Sequence, residues 1–207
     1  MSQSITEWII RVTVLLFAIT IHEYAHGRVA FFLGDPTAKR AGRLTLNPIS
    51  HIDPLGALCL FLFRFGWAKP VPVDIRYFKN PRTGSFLVSL SGPLANLFAA
   101  FVAGTIFRFF LFPSELYITL LVSLILMNIG LGIFNLLPVP PLDGSHILES
   151  VLPSGALQQY RELGKYAPMV LIGIFLADRF LQTGIISMIL HQPMRYLLWV
   201  FSGLRLG

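Results

Sequence analysis

FLVSLSGPLANLFAAFVAGTIF, residues 86–107, runs for 22 residues without a charged side chain. An α-helix rises about 1.5 Å per residue, so a run of this length covers a hydrocarbon core about 30 Å thick. LYITLLVSLILMNIGLGIFNLL, residues 116–137, has the same character over another 22 residues. Pro113, Ser114 and Glu115 mark the turn between them, a connection so short that the two helices must be antiparallel neighbours. Their far ends, near Gly84 and Asn135, therefore share one side of the membrane.

The composition agrees with a chain that lives in a bilayer. Of 207 residues, 55% are hydrophobic and 13% charged, against about a quarter charged in an ordinary soluble domain. The mean hydropathy is +0.70. A net charge of +6 could suggest a nucleic-acid partner, but half of the 16 Lys and Arg residues fall between Lys39 and Arg82. Membrane topology accounts for that clustering, and no nucleic-acid partner is expected. A single cysteine, Cys59, excludes an intramolecular disulfide framework and a cysteine-rich metal cluster. Glu7 and Arg11 are the only charges at the start of the first apolar run, with no basic leader before it and no small-residue cleavage site after it. A removable signal peptide is not expected.

Working toward the N-terminus, Trp8 to Leu33 forms a further apolar span, interrupted by Arg11, His22, Glu23, His26 and Arg28. Ionisable groups inside a membrane segment face a protein interior or a watery cavity and mark a site. The sequence His22-Glu23-Tyr24-Ala25-His26 names the chemistry. Residues four apart on a helix project from nearly the same face, so the two imidazoles can converge on one ion with Glu23 beside them. His-Glu-x-x-His is the zinc-protease arrangement: two histidine ligands and a glutamate acting as general base toward the hydrolytic water. Arg28 is expected to snorkel to the interface. Trp67 and the 18 phenylalanines read as lipid-facing or packing groups.

Between the first two spans, residues 42–82 hold glycine, proline and short alternating pieces such as Arg43-Leu44-Thr45-Leu46 and Val71-Pro72-Val73-Asp74, which predict extended strands and turns. Leu55 to Phe65 is apolar but too short to cross and is expected to be re-entrant or interfacial. Lys39, Arg40, Arg43, Arg64, Lys69, Arg76, Lys79 and Arg82 place this loop on the cytoplasmic side. Following the chain in, out and back brings the end of the third span, near Leu137, to the depth of the histidines. Toward the C-terminus, Tyr166 to Leu190 is apolar but broken at Asp178-Arg179, and Pro193 to Leu204 is short and amphipathic. Either could span or lie in the interface. With no internal repeat or linker, residues 1–207 read as one membrane-embedded domain, with a catalytic core over about 8–150 and a helical region over about 151–207. The expected fold is an α-helical polytopic membrane protein: a three-helix core, a re-entrant β-rich loop, and one or two further C-terminal helices.

A catalytic zinc takes three protein ligands and keeps a fourth position open. Three prolines among residues 138–141 stop the third helix, and Asp143 follows at once, so its carboxylate can be held on a bent segment instead of facing lipid. Asp143 is the expected third ligand. The competing use of this aspartate is to cap a helix over residues 144–151. His51 and His146 are the other candidates; His51 reads as an interfacial polar residue and His146 as a partner that supports a ligand. Asn135, near the proline break, could offer its side-chain amide to a tetrahedral oxyanion or bond a neighbouring helix. Asn96 lies beside a small-residue stripe of Ser91, Gly92, Ala95, Ala99 and Ala103, whose main use is close helix packing.

These motifs resemble those of the site-2 proteases, the intramembrane zinc metalloproteases. The resemblance rests on His22-Glu23-x-x-His26 and on Asn135-x-x-Pro138-x-Pro140-x-x-Asp143-Gly144. Further similarity lies in Gly42-Arg43-Leu44-Thr45-Leu46-Asn47-Pro48, in Gly66-Trp67-Ala68-Lys69-Pro70-Val71-Pro72-Val73, and in Ser91-Gly92-Pro93-Leu94-Ala95-Asn96. Together they cover most of residues 20–145, and residues 150–207 match none of them. The resemblance implies one zinc ion held by His22, His26 and Asp143, with Glu23 as base and cleavage of a transmembrane segment within or near the bilayer. The chain carries no inserted PDZ module and no organelle address, so a minimal member in the cell membrane is expected, and the cation distribution puts its active site toward the cytoplasm. The 42–73 loop could pair with an extended substrate by strand addition or simply shield the site. An ion or proton transporter using His, Glu and Asp as a cation site is the alternative reading; it predicts symmetric halves, which the sequence lacks.

Overall fold

The computed structural model describes residues 5–63, 66–110 and 114–204. Arg64 and Phe65 of the basic loop and Pro113 of the interhelical turn lie outside the described residues. Three helices are long and apolar enough to cross a membrane: α1 (Ile5–Phe32), and two more that are introduced below as α4 and α5. Behind α1 come the single turn α2 (Thr37–Arg40) and the short α3 (Pro54–Phe63). α4 (Pro81–Phe109) and α5 (Glu115–Asn135) follow, then α6 (Asp143–Val151), α7 (Ser154–Gly164), α8 (Ala167–Leu181) and α9 (Ile185–Ser202). The chain is therefore a multi-pass, helical membrane protein.

Helix boundaries follow local chemistry as well as hydropathy. α4 begins five residues before its uncharged run because the Asn80 side chain accepts from Thr83 N at 3.2 Å and Pro81 sits in the first turn, both helix-starting signals. α5 ends at Asn135, two residues before its apolar run does. Pro138 disfavours the helical region for the residue preceding it, which turns the chain at 136–137.

α4 is the hub of the bundle, packing against α1, α5, α6 and α9. Ala100 and Ala103 of α4, Leu121, Ile125 and Ile129 of α5, and Leu198 of α9 form the apolar core. The outer faces remain apolar: Phe98, Phe109 and Ile9 are more than half exposed. In water such surface would be a liability, and against lipid it is the ordinary case.

Two expectations for the connecting regions need revision. Residues 42–82 form no strand among the described residues; α3, two 3-10 turns and extended chain occupy the region, with one isolated bridge between Ile52 and Ala68. The backbone donors of the extended piece are spent elsewhere. Lys69 N bonds His51 O at 3.0 Å, Val71 N bonds Glu23 Oε2 at 2.8 Å, and Asp74 N bonds buried Asp35 Oδ2 at 2.7 Å. Pro70 and Pro72 have no donor to contribute to a ladder. The segment is thus laid along α1 instead of paired into a sheet. α3 covers only about 15 Å at ten residues, so it cannot span.

The C-terminal break also falls later than Asp178-Arg179. Gln182 and Gly184 both take positive φ, ending α8 and starting α9. Asp178 makes that turn by accepting from the Thr183 hydroxyl and from Ile185 N and Ile186 N at 2.8 and 3.0 Å. These bonds, the Thr183 hydroxyl foremost, hold the Asp178 carboxyl below its usual range. The tail from Pro193 onward is no separate interfacial piece. It belongs to α9, whose Leu198 and Ser202 are buried against α4 and α5.

Candidate metal centre

His22 and His26 lie toward the C-terminal end of α1, with His26 about 9 Å before the helix ends. Their Nε2 atoms are 3.0 Å apart. Asp143 Oδ2 stands 3.0 Å from His22 Nε2 and 3.3 Å from His26 Nε2. The three ligand-type atoms thus form a closed triangle, brought together from two stretches 117 or more residues apart in the chain. A tetrahedral ion with bonds of about 2.0–2.2 Å would set its ligand atoms roughly 3.3–3.6 Å apart, so the triangle needs to open by only a few tenths of an ångström. The donor set fits zinc.

Hydrogen bonding fixes which ring atoms face the triangle. His26 Nδ1 is 2.7 Å from the Val88 carbonyl oxygen, which can only accept. His22 Nδ1 is 2.6 Å from Asn96 Oδ1. Both Nδ1 atoms are therefore donors, and a neutral imidazole then presents a bare Nε2 lone pair. Two such lone pairs and a carboxylate cannot share this space without positive charge between them, supplied by added protons or by a divalent cation. Burial alone would raise the Asp143 carboxyl; the imidazoles beside it, His22 first, outweigh burial and hold it well below the usual carboxylate range.

Asp143 is the first residue of α6, and no side-chain cap bond starts that helix. Its carboxylate faces the histidines, which separates the two uses the sequence left open. The segment bearing it is tightly built. Gly144 fits against the carbonyls of Leu136 and Leu137, where a Cβ would collide with both. Tyr160 of α7 donates to Pro138 O at 3.1 Å; burial, then the nearby Glu149 carboxylate, pushes the phenol above its usual value, so it remains a neutral donor.

The remaining candidates fall elsewhere. Buried His51 bonds Thr45 O through Nε2 at 2.9 Å and serves the loop, while His146 is exposed. Glu23 is buried beside the pair and its Oε2 accepts from Val71 N. Asn135 donates one amide hydrogen to Leu131 O, four residues back on its own helix, at 3.0 Å; the amide's second hydrogen is not used there. An apolar groove of about 1070 Å³ runs between α1, α4 and α5 past Phe17, Ile21, Leu94 and Phe98. None of His22, Glu23, His26 or Asp143 lines it, so the groove is separate from the metal-ligand cluster. Water meets the cluster most readily at Asp143, whose side chain is 18% exposed against 8% and 11% for the histidines.

Comparison with known proteins gives the family. YwhC of Bacillus subtilis, named as a zinc metalloprotease, is 41% identical over 177 residues, spanning 79% of this chain and 78% of its own. The chain belongs to the site-2 proteases, peptidase family M50. The family model itself matches residues 112–176, through α5 and into α8, and so includes Asp143. This M50 protease also matches Rip2 of Mycolicibacterium smegmatis at 31% over 140 residues, 65% of this chain and 54% of that one. MJ0392 of Methanocaldococcus jannaschii, likewise named as a zinc metalloprotease, is 27% identical over 181 residues, 87% of this chain and 44% of its own. The chain thus spans about half the length of these two relatives. No solved structure matches it at a significant level.

The site shows features that motif reading misses. Val88 O, Asn96 and the backbone of Val71 each hold a reactive side chain, yet only Asn96 carries any signal in the sequence, as the last residue of the Ser91–Asn96 stretch. A backbone carbonyl or amide carries no residue-type signal at all.

Proposed function

We propose that this M50 protease hydrolyses peptide bonds in transmembrane segments of single-pass proteins, using one zinc ion held by His22, His26 and Asp143 at the cytoplasmic side of the cell membrane. The observation that supports it most strongly is the closed triangle of Nε2, Nε2 and Oδ2 at 3.0–3.3 Å, set within a bundle whose outer surface is apolar. Zinc bound there would lower the pKa of water toward neutrality and polarise the scissile carbonyl.

The chain's own residues supply the rest. Glu23 accepts a proton from the attacking water and returns it to the leaving nitrogen. Its Oε2 is held by Val71 N, which aims the carboxylate and leaves Oε1 for the proton. Asn135 retains one amide hydrogen beyond its bond to Leu131 O, and that hydrogen is left to offer the developing oxyanion. Burial of Glu23 and the histidines excludes bulk water from the reacting atoms, which strengthens each electrostatic contact.

The segment from Pro70 to Val73 serves better as a wall than as a pairing edge. In an extended chain alternate residues direct their backbone groups to opposite sides. Val71 points its N–H at Glu23, and Pro70 and Pro72, which face the other way, have none. A substrate strand on that outer edge would find acceptors only.

Purified protein in liposomes with a single-pass substrate tests this reading. Chelation should abolish cleavage, stoichiometric zinc should restore it, and the new termini should map to the membrane-spanning segment. Undiminished cleavage by demonstrably metal-free protein would contradict it.

A further inference from the structure

We propose that Asn96 is a positioning residue for the metal centre: it holds His22 in the tautomer and rotamer that direct Nε2 into the triangle. This rests on the metal-centre reading above.

Asn96 on α4 and Asn128 on α5 are both fully buried, each at 0% exposure. Asn96 Nδ2 donates to Ala18 O on α1 at 2.9 Å and to Asn128 Oδ1 at 2.9 Å. Asn128 Nδ2 donates to Leu124 O at 2.9 Å. Amide oxygens and nitrogens are assigned from their partners, and here the partners leave one solution. Leu124 O and Ala18 O are carbonyls and can only accept. Asn128 must therefore turn its nitrogen to Leu124 and its oxygen to Asn96. Asn96 must turn its nitrogen to Ala18 and Asn128, which leaves Oδ1 against His22 Nδ1 at 2.6 Å. Ala18 O alone is enough to fix the Asn96 amide, and Asn128, polarised by Leu124 O, accepts its second hydrogen. Flipping either amide would place two acceptors or two donors face to face in a buried site.

His26 needs no such relay because its Nδ1 meets Val88 O directly. The small neighbours on α4 gain a second meaning from this. Gly92 stands one turn before Asn96 and leaves room for the two rings, while Asn96 fixes one of them. Partners of this kind fix ring orientation and raise ligand basicity, and removing them typically weakens metal binding about 10–100-fold.

The alternative is that the two asparagines only join helices, a common use of asparagine in membranes. Zinc affinity, measured by chelator competition on the full-length protein in detergent beside thermal unfolding of the zinc-free protein, separates the two. Asn96→Leu removes the acceptor from His22 and should weaken zinc by about 10–100-fold. Asn128→Leu breaks the same contact between α4 and α5 but leaves Asn96 bonded to Ala18 and His22, so it should lower the unfolding temperature while weakening zinc by only about threefold or less. Asn96→Asp keeps an acceptor for His22 and should restore zinc binding to within about threefold of wild type despite reduced thermal stability. If Asn96→Leu does not fold, Asn96→Ser, too short to reach His22, takes its place with the same expected loss. His22→Ala serves as the reference: zinc retained there at wild-type affinity would sink the metal-centre reading itself. With that reference lost as expected, affinity within twofold of wild type in Asn96→Leu or Asn96→Ser, or parallel losses in the Asn96 and Asn128 variants, overturns the positioning role.

Discussion

Glu23→Gln is expected to lower cleavage by a factor of about 10²–10⁴ while zinc content stays at one ion per chain. The substitution changes little besides the proton chemistry. Glutamine is isosteric, and its amide oxygen can still accept from Val71 N, now 2.8 Å from Glu23 Oε2. Glu23 is not a member of the triangle, so the ligand atoms are untouched. What disappears is a group able to take a proton from water and hand it to the leaving nitrogen. Titrating active sites with a labelled single-pass substrate, beside metal analysis of the same preparation, reads both quantities. Cleavage within threefold of wild type would mean that some other residue is the base, whatever the zinc does.

Gly92→Ala is expected to cost more, removing both metal and activity. A Cβ at this position would lie 2.5 Å from His26 Nε2, 2.6 Å from His26 Cε1 and 2.7 Å from His22 Cε1, closer than real side-chain atoms approach. The rings cannot simply swing away, because His26 is tied to Val88 O and His22 to Asn96. One methyl group therefore has to displace a ligand atom. Displacing a ligand should weaken zinc by about 100-fold or more, beyond what loss of a supporting partner does. A misplacement of about 1 Å at the reacting atoms costs a further factor near 10² in rate. Gly173→Ala is the control: it sits in α8 with open space around its Cβ position, where alanine favours the helix by about 1 kcal/mol. Zinc and cleavage should be unchanged there. A Gly92→Ala protein that binds zinc like wild type would show that the rings sit elsewhere in the working enzyme.

Much of this architecture was legible because its signals are one-dimensional. The runs at 86–107 and 116–137 give spanning helices α4 and α5 by length alone, and His22-Glu23-x-x-His26 needs only helical spacing to converge. Asp143 came from two independent constraints, the proline break and the membrane side reached by counting spans, and the carboxylate does face the imidazoles. Alternation at Val71-Pro72-Val73-Asp74 looks like a pleat, which is why the sequence of the 42–82 loop predicts strands. Pairing depends on backbone donors, and those donors are taken by Glu23, His51 and Asp35, two of which lie outside that stretch of sequence. Residues 193–204 were equally illegible. The amphipathic pattern of α9 has the same form whether its apolar face meets lipid or the α4–α5 core. Asn135 stands between these cases, its position plain from the motif while one of its amide hydrogens is spent on Leu131 O of its own helix.

Zinc X-ray absorption on purified wild-type protein, with metal analysis of Asp143→Ala alongside, tests the central claim most directly. One zinc per chain is expected, with two imidazole nitrogens at about 2.0–2.1 Å and carboxylate or water oxygen at about 2.0–2.2 Å, and Asp143→Ala should lose most of that metal or show one fewer oxygen. An active wild-type protein without zinc, or a zinc shell that is identical in Asp143→Ala, would contradict the account.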